Sequence, residues 1–165
     1  MATRYNAYLE SIAHWDAFRK EHFPRDGEPV MITLKGHLIL EEQLTHIISV
    51  HCISPDYLVD AKLGFYQKVY LARSLFFLPF DAGVWDLLLM VNTIRNDYAH
   101  SLTPKELSRH YSKARTMSKK LVRSASINGS VLDSDKGLMF FMLGFLTSTF
   151  ANIDALARAK KKRDS

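Results

Sequence analysis

The chain has 165 residues and a formal net charge of +5, with 47% hydrophobic and 24% charged residues, the proportions of a globular chain long enough to bury a sizeable core. Only seven glycines and five prolines exclude collagen-like, low-complexity and loop-rich disordered sequences, and a many-turned β-sandwich. The single cysteine, Cys52, excludes an intrachain disulfide and any structural zinc site built on several thiolates.

Apolar residues recur at helical spacing nearly throughout. Tyr5, Leu9, Ile12, Ala13, Trp15, Phe18 and His22 predict a first amphipathic helix over about residues 4–22. Two prolines and a glycine in Phe23-Pro24-Arg25-Asp26-Gly27-Glu28-Pro29 break it. A second helix is expected from Met31 to Cys52, with Leu34, Leu38, Leu40, Leu44, Ile47 and Ile48 inward. Ser54-Pro55 opens a short helix near Asp56–Leu63, which continues or restarts through Phe65–Leu78. The aromatic positions 65, 66, 70, 76 and 77 in that stretch read as core. Pro79-Phe80-Asp81 breaks the chain again, with Asp81 as the expected N-cap.

The stretch from Val84 to Val91 is apolar almost all round, the mark of a central helix buried on most sides. It turns polar at Asn92 and ends near His100. Thr103-Pro104-Lys105-Glu106 has the form of a capping box with proline at the first helical position. A basic helix follows, with Leu107, Tyr111, Ala114 and Leu121 inward and Lys105, Arg109, Lys113 and Lys120 along an outer stripe. Ser126 to Asp135 reads as a polar linker with an Asn128-Gly129 turn. A last helix spans about Lys136–Ala159. Its 17 uncharged residues, Gly137–Ile153, approach the length of a membrane span. Thr147, Ser148, Thr149 and Asn152 interrupt that run, so a core or dimer-interface helix is the preferred reading and no membrane partner is expected.

Charge is uneven along this series of helices. Residues 1–104 hold nine Lys/Arg against twelve Asp/Glu, a net of −3, whereas residues 105–165 hold thirteen against five, a net of +8. The excess lies in Lys105–Arg123 and in the tail at 158–165. A basic half of this kind fits an anionic partner, nucleic acid or an acidic protein. The first eight residues have no apolar run of the secretory type, so a cytoplasmic chain is expected.

The residues that can carry chemistry stand at the polar end of the central helix, Ile94-Arg95-Asn96-Asp97-Tyr98-Ala99-His100. Arginine is a permanent cation that holds phosphate oxygens bidentately, and histidine moves protons near neutral pH. Asn96 and His100, four apart, share a helix face. Arg95 lies about 140° from His100 around a straight helix, so a second copy of the helix would bring the two groups together more readily than one chain does. Tyr98 can stack on a base or pack against a partner helix.

This stretch resembles the Arg-polar-x-x-x-His signature of HEPN domains, small all-α proteins. The wider run from Leu34-Lys35-Gly36-His37-Leu38-Ile39-Leu40-Glu41 through Leu63-Gly64-Phe65-Tyr66-Gln67-Lys68 to Asn92–Leu102 is similar to the branch related to the mannitol-operon repressor, over roughly residues 31–125. The resemblance implies a homodimeric, metal-independent endoribonuclease without a cofactor. His100 would transfer the proton, Arg95 would hold the scissile phosphate, and Asn96 would orient the phosphate or the imidazole. Lys105, Arg109, Lys113 and Lys120 would track the RNA backbone. It also implies a toxin or phage-defence setting with an antitoxin or other regulatory partner. The alternative is a catalytically silent regulatory or binding module similar to the mannitol-repressor branch, acting on protein or nucleic acid, with transcription regulation as one such role. Where toxin-type members carry a tyrosine two residues after the histidine, this chain has Leu102.

Two weaker signals complete the reading. His37/Glu41 and Glu42/His46 are i, i+4 pairs, read as solvated helix contacts because third and fourth metal ligands cannot be placed. Cys52 beside His51 reads as a lone buried cysteine rather than a nucleophile–base pair, since adjacent helix residues point apart. The expected architecture is therefore a single all-α domain over residues 1–165, a HEPN-like bundle of five to six helices.

Overall fold

The structure, a computed structural model, describes the backbone of residues 2–23, 26–76, 83–125 and 129–164, and the side chains of residues 9–23, 26–76, 83–122 and 129–158. Among the described residues it is all-α, as expected. The helices are α1 (Ala2–His22), α2 (Pro29–His51), α3 (Tyr57–Asp60), α4 (Phe65–Leu75), α5 (Val84–His100), α6 (Leu107–Ala125) and α7 (Asp135–Asp164), with a 3-10 turn at Gly129–Leu132. Seven helices replace the expected five to six because α3 and α4 are separate. Lys62 takes a positive φ of 47° after α3, a conformation that a helix cannot continue through. The Gln67 side chain then accepts a hydrogen bond from the Gly64 N–H at 2.8 Å to open α4.

Helix ends follow from local chemistry. Pro29 is the first residue of α2, where its missing N–H leaves no bond unmade. Gly83 caps α5 with φ 104°, a left-handed position that glycine adopts without a Cβ penalty. Asp81, the cap expected from sequence, lies outside the described residues, as do Pro24, Arg25, Phe77, Pro79, Phe80 and Asn128. The capping box expected at Thr103–Glu106 does not form. The Thr103 N–H bonds Ser101 Oγ at 3.2 Å, Glu106 pairs instead with Arg109 Nε at 2.6 Å, and α6 starts only at Leu107.

The chain divides into two compact units. One comprises Met1–Phe23, Ile39–Phe77 and Thr147–Ser165; the other comprises Pro24–Leu38 and Leu78–Leu146. Helices α2 and α7 each contribute residues to both. In the first unit the buried residues include Trp15 of α1, Leu40, Leu44, Ile47 and Ile48 of α2, Phe65, Val69 and Ala72 of α4, and Phe150, Ile153 and Ala155 of α7. Tyr66 and Tyr70 are exposed rather than core, at 58% and 44%, and their rings lie against each other with centroids 4.7 Å apart. Phe65, Val69 and Ala72 already fill the buried stripe of α4, and these tyrosines stand off it.

In the second unit α5 supplies Trp85, Leu87, Leu88, Val91 and Ile94, all buried. Around them lie Ile32 of α2, Tyr111, Ala114 and Val122 of α6, Leu132, and Leu138, Met139, Met142, Leu143 and Leu146 of α7. Leu38, expected inward, is 62% exposed. The buried stripe of α2 instead uses Thr33 and His37, polar residues whose side chains bond Pro29 O and Asn92 Oδ1. Gly36 permits close approach here, since a Cβ on it would lie 2.3 Å from Leu143 Cδ1. By length and composition α7 could cross a membrane over Asp135–Arg158, and 61% of its most apolar window is buried inside the protein.

Candidate functional site

The site grows out of the way α5 changes along its length. Val84, Trp85, Leu87, Leu88, Met90, Val91 and Ile94 are buried, Arg95 to Tyr98 are half-buried, and Ala99 and His100 are exposed. The buried half fixes the helix in the core of its unit and delivers the polar half to the surface. Within α5, Asn92, Asn96 and His100 recur every four residues and form one stripe. At its buried end Asn92 Oδ1 lies 3.0 Å from His37 Nε2. His37 is 4% exposed, so it is not the solvated helix-surface residue expected from sequence, and Glu41 pairs with Lys68 Nζ at 2.9 Å.

Arg95 starts off that stripe and returns to it. Its Nη1 donates to Asn96 Oδ1 at 3.1 Å, which draws the guanidinium toward the face that Asn96 shares with His100. His100 is the last residue of α5 and forms no hydrogen bond or ion pair with the other described residues. An exposed imidazole and a half-buried, pre-oriented guanidinium on one helix end can bind an anion and exchange a proton beside it.

Helix α6 packs against this end of α5 through two polar pairs. His110 Nδ1 lies 2.6 Å from Asp97 Oδ2, and Tyr98 Oη lies 3.0 Å from Tyr111 Oη. Burial pushes the Tyr111 hydroxyl far above the usual phenol range, with the Tyr98 bond adding to the effect. Burial also raises Tyr98; the Tyr111 bond opposes this, and the charges of Asp135, Asp97 and Glu28 reinforce it. Both phenols therefore stay neutral across the physiological range. Tyr98 is engaged with Tyr111 inside the protein, which ties it to packing.

Lys105, Arg109, Lys113 and Lys120 are all exposed. Lys105 sits in the turn before α6, whereas Arg109, Lys113 and Lys120 stand on the helix. The buried side of α6 carries Tyr111, Ala114, Ser118 and Val122, with Leu107 and Leu121 only half-buried. Not every basic residue of α6 is outward: Arg115 donates to Leu132 O at 2.6 Å and pairs with Asp135 at 2.9 Å, holding the 3-10 turn and the start of α7. The side chains of the basic tail beyond Arg158 lie outside the described residues. Among the described residues no group of three or more His, Cys, Asp or Glu is placed to hold a metal ion.

Sequence reasoning missed a second polar cluster, in the other unit. Asp154 of α7 is fully buried and accepts hydrogen bonds at Oδ2 from Ser11 Oγ (2.5 Å), Trp15 Nε1 (2.9 Å) and Arg158 Nε (3.0 Å). Its Oδ1 meets His46 Nε2 at 3.3 Å, an electrostatic contact without an aligned hydrogen bond. The Arg158 guanidinium also lies against His46 Nε2. Burial opposes ionisation of Asp154, but His46, Ser11 and Trp15 together outweigh it and hold the carboxyl well below its usual range. The available signal was an acid directly after the uncharged run Gly137–Ile153 and four residues before Arg158.

Comparison with protein-family models, with curated proteins and with solved structures returns no match.

Proposed function

We propose that the chain is an endoribonuclease of HEPN type, cleaving RNA through the ribose 2′-hydroxyl at the Arg95/Asn96/His100 end of α5. The observation that carries this reading is the Arg95–Asn96 bond, which turns the guanidinium toward the His100 face. The likeness of Arg95–His100 to the HEPN signature adds the reaction class. Arg95 would bind the scissile phosphate and offset its growing negative charge. His100 would move the proton, and Asn96 would hold Arg95 in place. The exposed Lys105, Arg109, Lys113 and Lys120 would neutralise backbone phosphates with little sequence reading. In this reading two copies pair near α5 and share the cleft.

The experiment is cleavage of transfer RNA by the purified chain in EDTA, with His100→Ala compared at equal oligomeric state. The reading expects cyclic 2′,3′-phosphate ends from wild type and none from the variant. Among the described residues His100 has no side-chain partner to orient it, and that observation favours the second reading, a silent regulatory module like the mannitol-repressor branch. RNA left intact by a folded wild-type dimer would decide for the regulator.

A further inference from the structure

The pair formed by Asp97 and His110 has the arrangement of a proton-transfer dyad. Only one ring nitrogen of His110 is used: Nδ1 faces Asp97 Oδ2 at 2.6 Å, and Nε2 bonds none of the other described residues. The two side chains are partly open to solvent, at 17% and 19%. A carboxylate on Nδ1 fixes the ring orientation and leaves Nε2 as the nitrogen that exchanges protons. It also offsets the positive charge of the ring when Nε2 is protonated.

The position of the dyad is as informative as its geometry. Asp97 lies between Asn96 and His100 in sequence. It is three residues before His100, with Cβ atoms about 5–6 Å apart at that helical spacing. Helix α6 therefore brings His110 to the same end of α5 that carries His100 and the Arg95–Asn96 pair. The two histidines have contrasting surroundings: among the described residues His100 has no carboxylate partner, and His110 has one at hydrogen-bond distance.

We infer that His110, positioned by Asp97, is the general acid of the cleavage reaction, with His100 as the base. This inference rests on the ribonuclease reading above. In the step, His100 takes the 2′-hydroxyl proton as the 2′-oxygen bonds to phosphorus. The bond from phosphorus to the 5′-oxygen breaks, and His110 Nε2–H gives its proton to that oxygen. The products are a 2′,3′-cyclic phosphate and a 5′-hydroxyl. His100 is left protonated and His110 neutral, and exchange with water restores both. The reaction needs no electron donor or acceptor.

The test compares two substrates in EDTA with the full chain: an RNA dinucleotide and a nucleoside 3′-(4-nitrophenyl phosphate), whose nitrophenolate leaves without a proton. His110→Asn removes Nε2 but keeps an amide N–H where Nδ1–H stands, so the tie to Asp97 and the melting temperature are retained. The expected result is RNA cleavage slowed about 10²–10⁴-fold, the nitrophenyl ester cleaved at close to the wild-type rate, and His100→Ala impaired on both. Wild-type rates on RNA from His110→Asn would reduce the dyad to a helix clamp while leaving the ribonuclease reading intact. Equal loss on both substrates from a folded His110→Asn would also overturn the acid role. A wild-type chain that cleaves neither substrate would remove the ribonuclease reading, and this inference with it.

Discussion

Replacing Asp154 tests whether the buried cluster beside α1 stabilises the fold. Asp154 is fully buried, and two of its donors, Ser11 and Trp15, are only 4% and 3% exposed. In Asp154→Ala both donors lose their acceptor out of reach of water. An unsatisfied buried donor costs about 1–3 kcal/mol, although the Ser11 hydroxyl can rotate to another acceptor. Arg158 is 40% exposed, so solvent screens its share and little is added for it. The sum is about 3 kcal/mol, which for a chain of this length lowers the melting temperature by about 6–12 °C. Asp154→Asn keeps one oxygen for Trp15 and loses less, about 1 kcal/mol. Thermal unfolding followed by far-UV circular dichroism at pH 7 reads both values. The sign with pH is fixed as well. The folded-state carboxyl titrates below its ordinary value of 3.8, so its stabilisation is complete above about pH 5 and is lost as pH falls through the folded value. The gap between wild type and Asp154→Asn must therefore shrink on acidification. An Asp154→Ala melting curve within about 2 °C of wild type, or a gap that widens in acid, would refute the argument.

Two further predictions address packing and charge. Gly36→Ala forces a methyl to within 2.3 Å of the buried Leu143 side chain and should destabilise by about 1–3 kcal/mol; Gly144→Ala, in the same helix as Leu143 but with no side chain of the described residues within 4 Å of the added Cβ, should stabilise by about 0.5–1 kcal/mol through helix propensity. Urea unfolding of the two variants reads opposite signs. Replacing Arg109, Lys113 and Lys120 together by Ala should weaken single-stranded RNA binding and reduce the slope of log affinity against log salt by about 2, at about 0.7 per lost phosphate contact. Fluorescence anisotropy across a salt series measures it, and an unchanged slope would take this face of α6 out of the RNA path.

Much of the fold was legible because apolar spacing is set by the helix itself. The run from Val84 to Val91 announced a helix buried on most sides, and α5 begins at Val84 and ends at His100 as its pattern and polar end required. The errors have a common physical cause. Leu38, Tyr66 and Tyr70 stand at helical spacing yet are exposed, whereas Thr33, His37 and Gln43 occupy the interior. A polar side chain is admitted there when it has a partner, as Thr33 has in Pro29 O, His37 in Asn92 and Gln43 in Thr147 O. Such partners are distant in sequence or depend on a local bond, so residue type does not reveal them.

The candidate site divides along the same line. Asn96 and His100 share a face for reasons of periodicity, and sequence places them correctly relative to each other. Arg95 does not share that face by its Cα position, and rigid helix geometry argues for a second copy of the helix to complete the group. The Arg95–Asn96 bond shows why that argument is incomplete: an arginine side chain is long enough to cross to a neighbouring stripe, and one amide oxygen holds it there. Asp97 and His110, 13 residues apart, meet only because the turn after His100 brings α6 back against α5. If both histidines act, one chain holds a complete set of phosphate-binding and proton-transfer groups. Pairing of two chains would then govern access or regulation rather than assemble the chemistry. A dilution series separates these cases: activity per chain that persists below the dimer dissociation constant belongs to one chain, and activity that falls with dimer content belongs to a shared cleft.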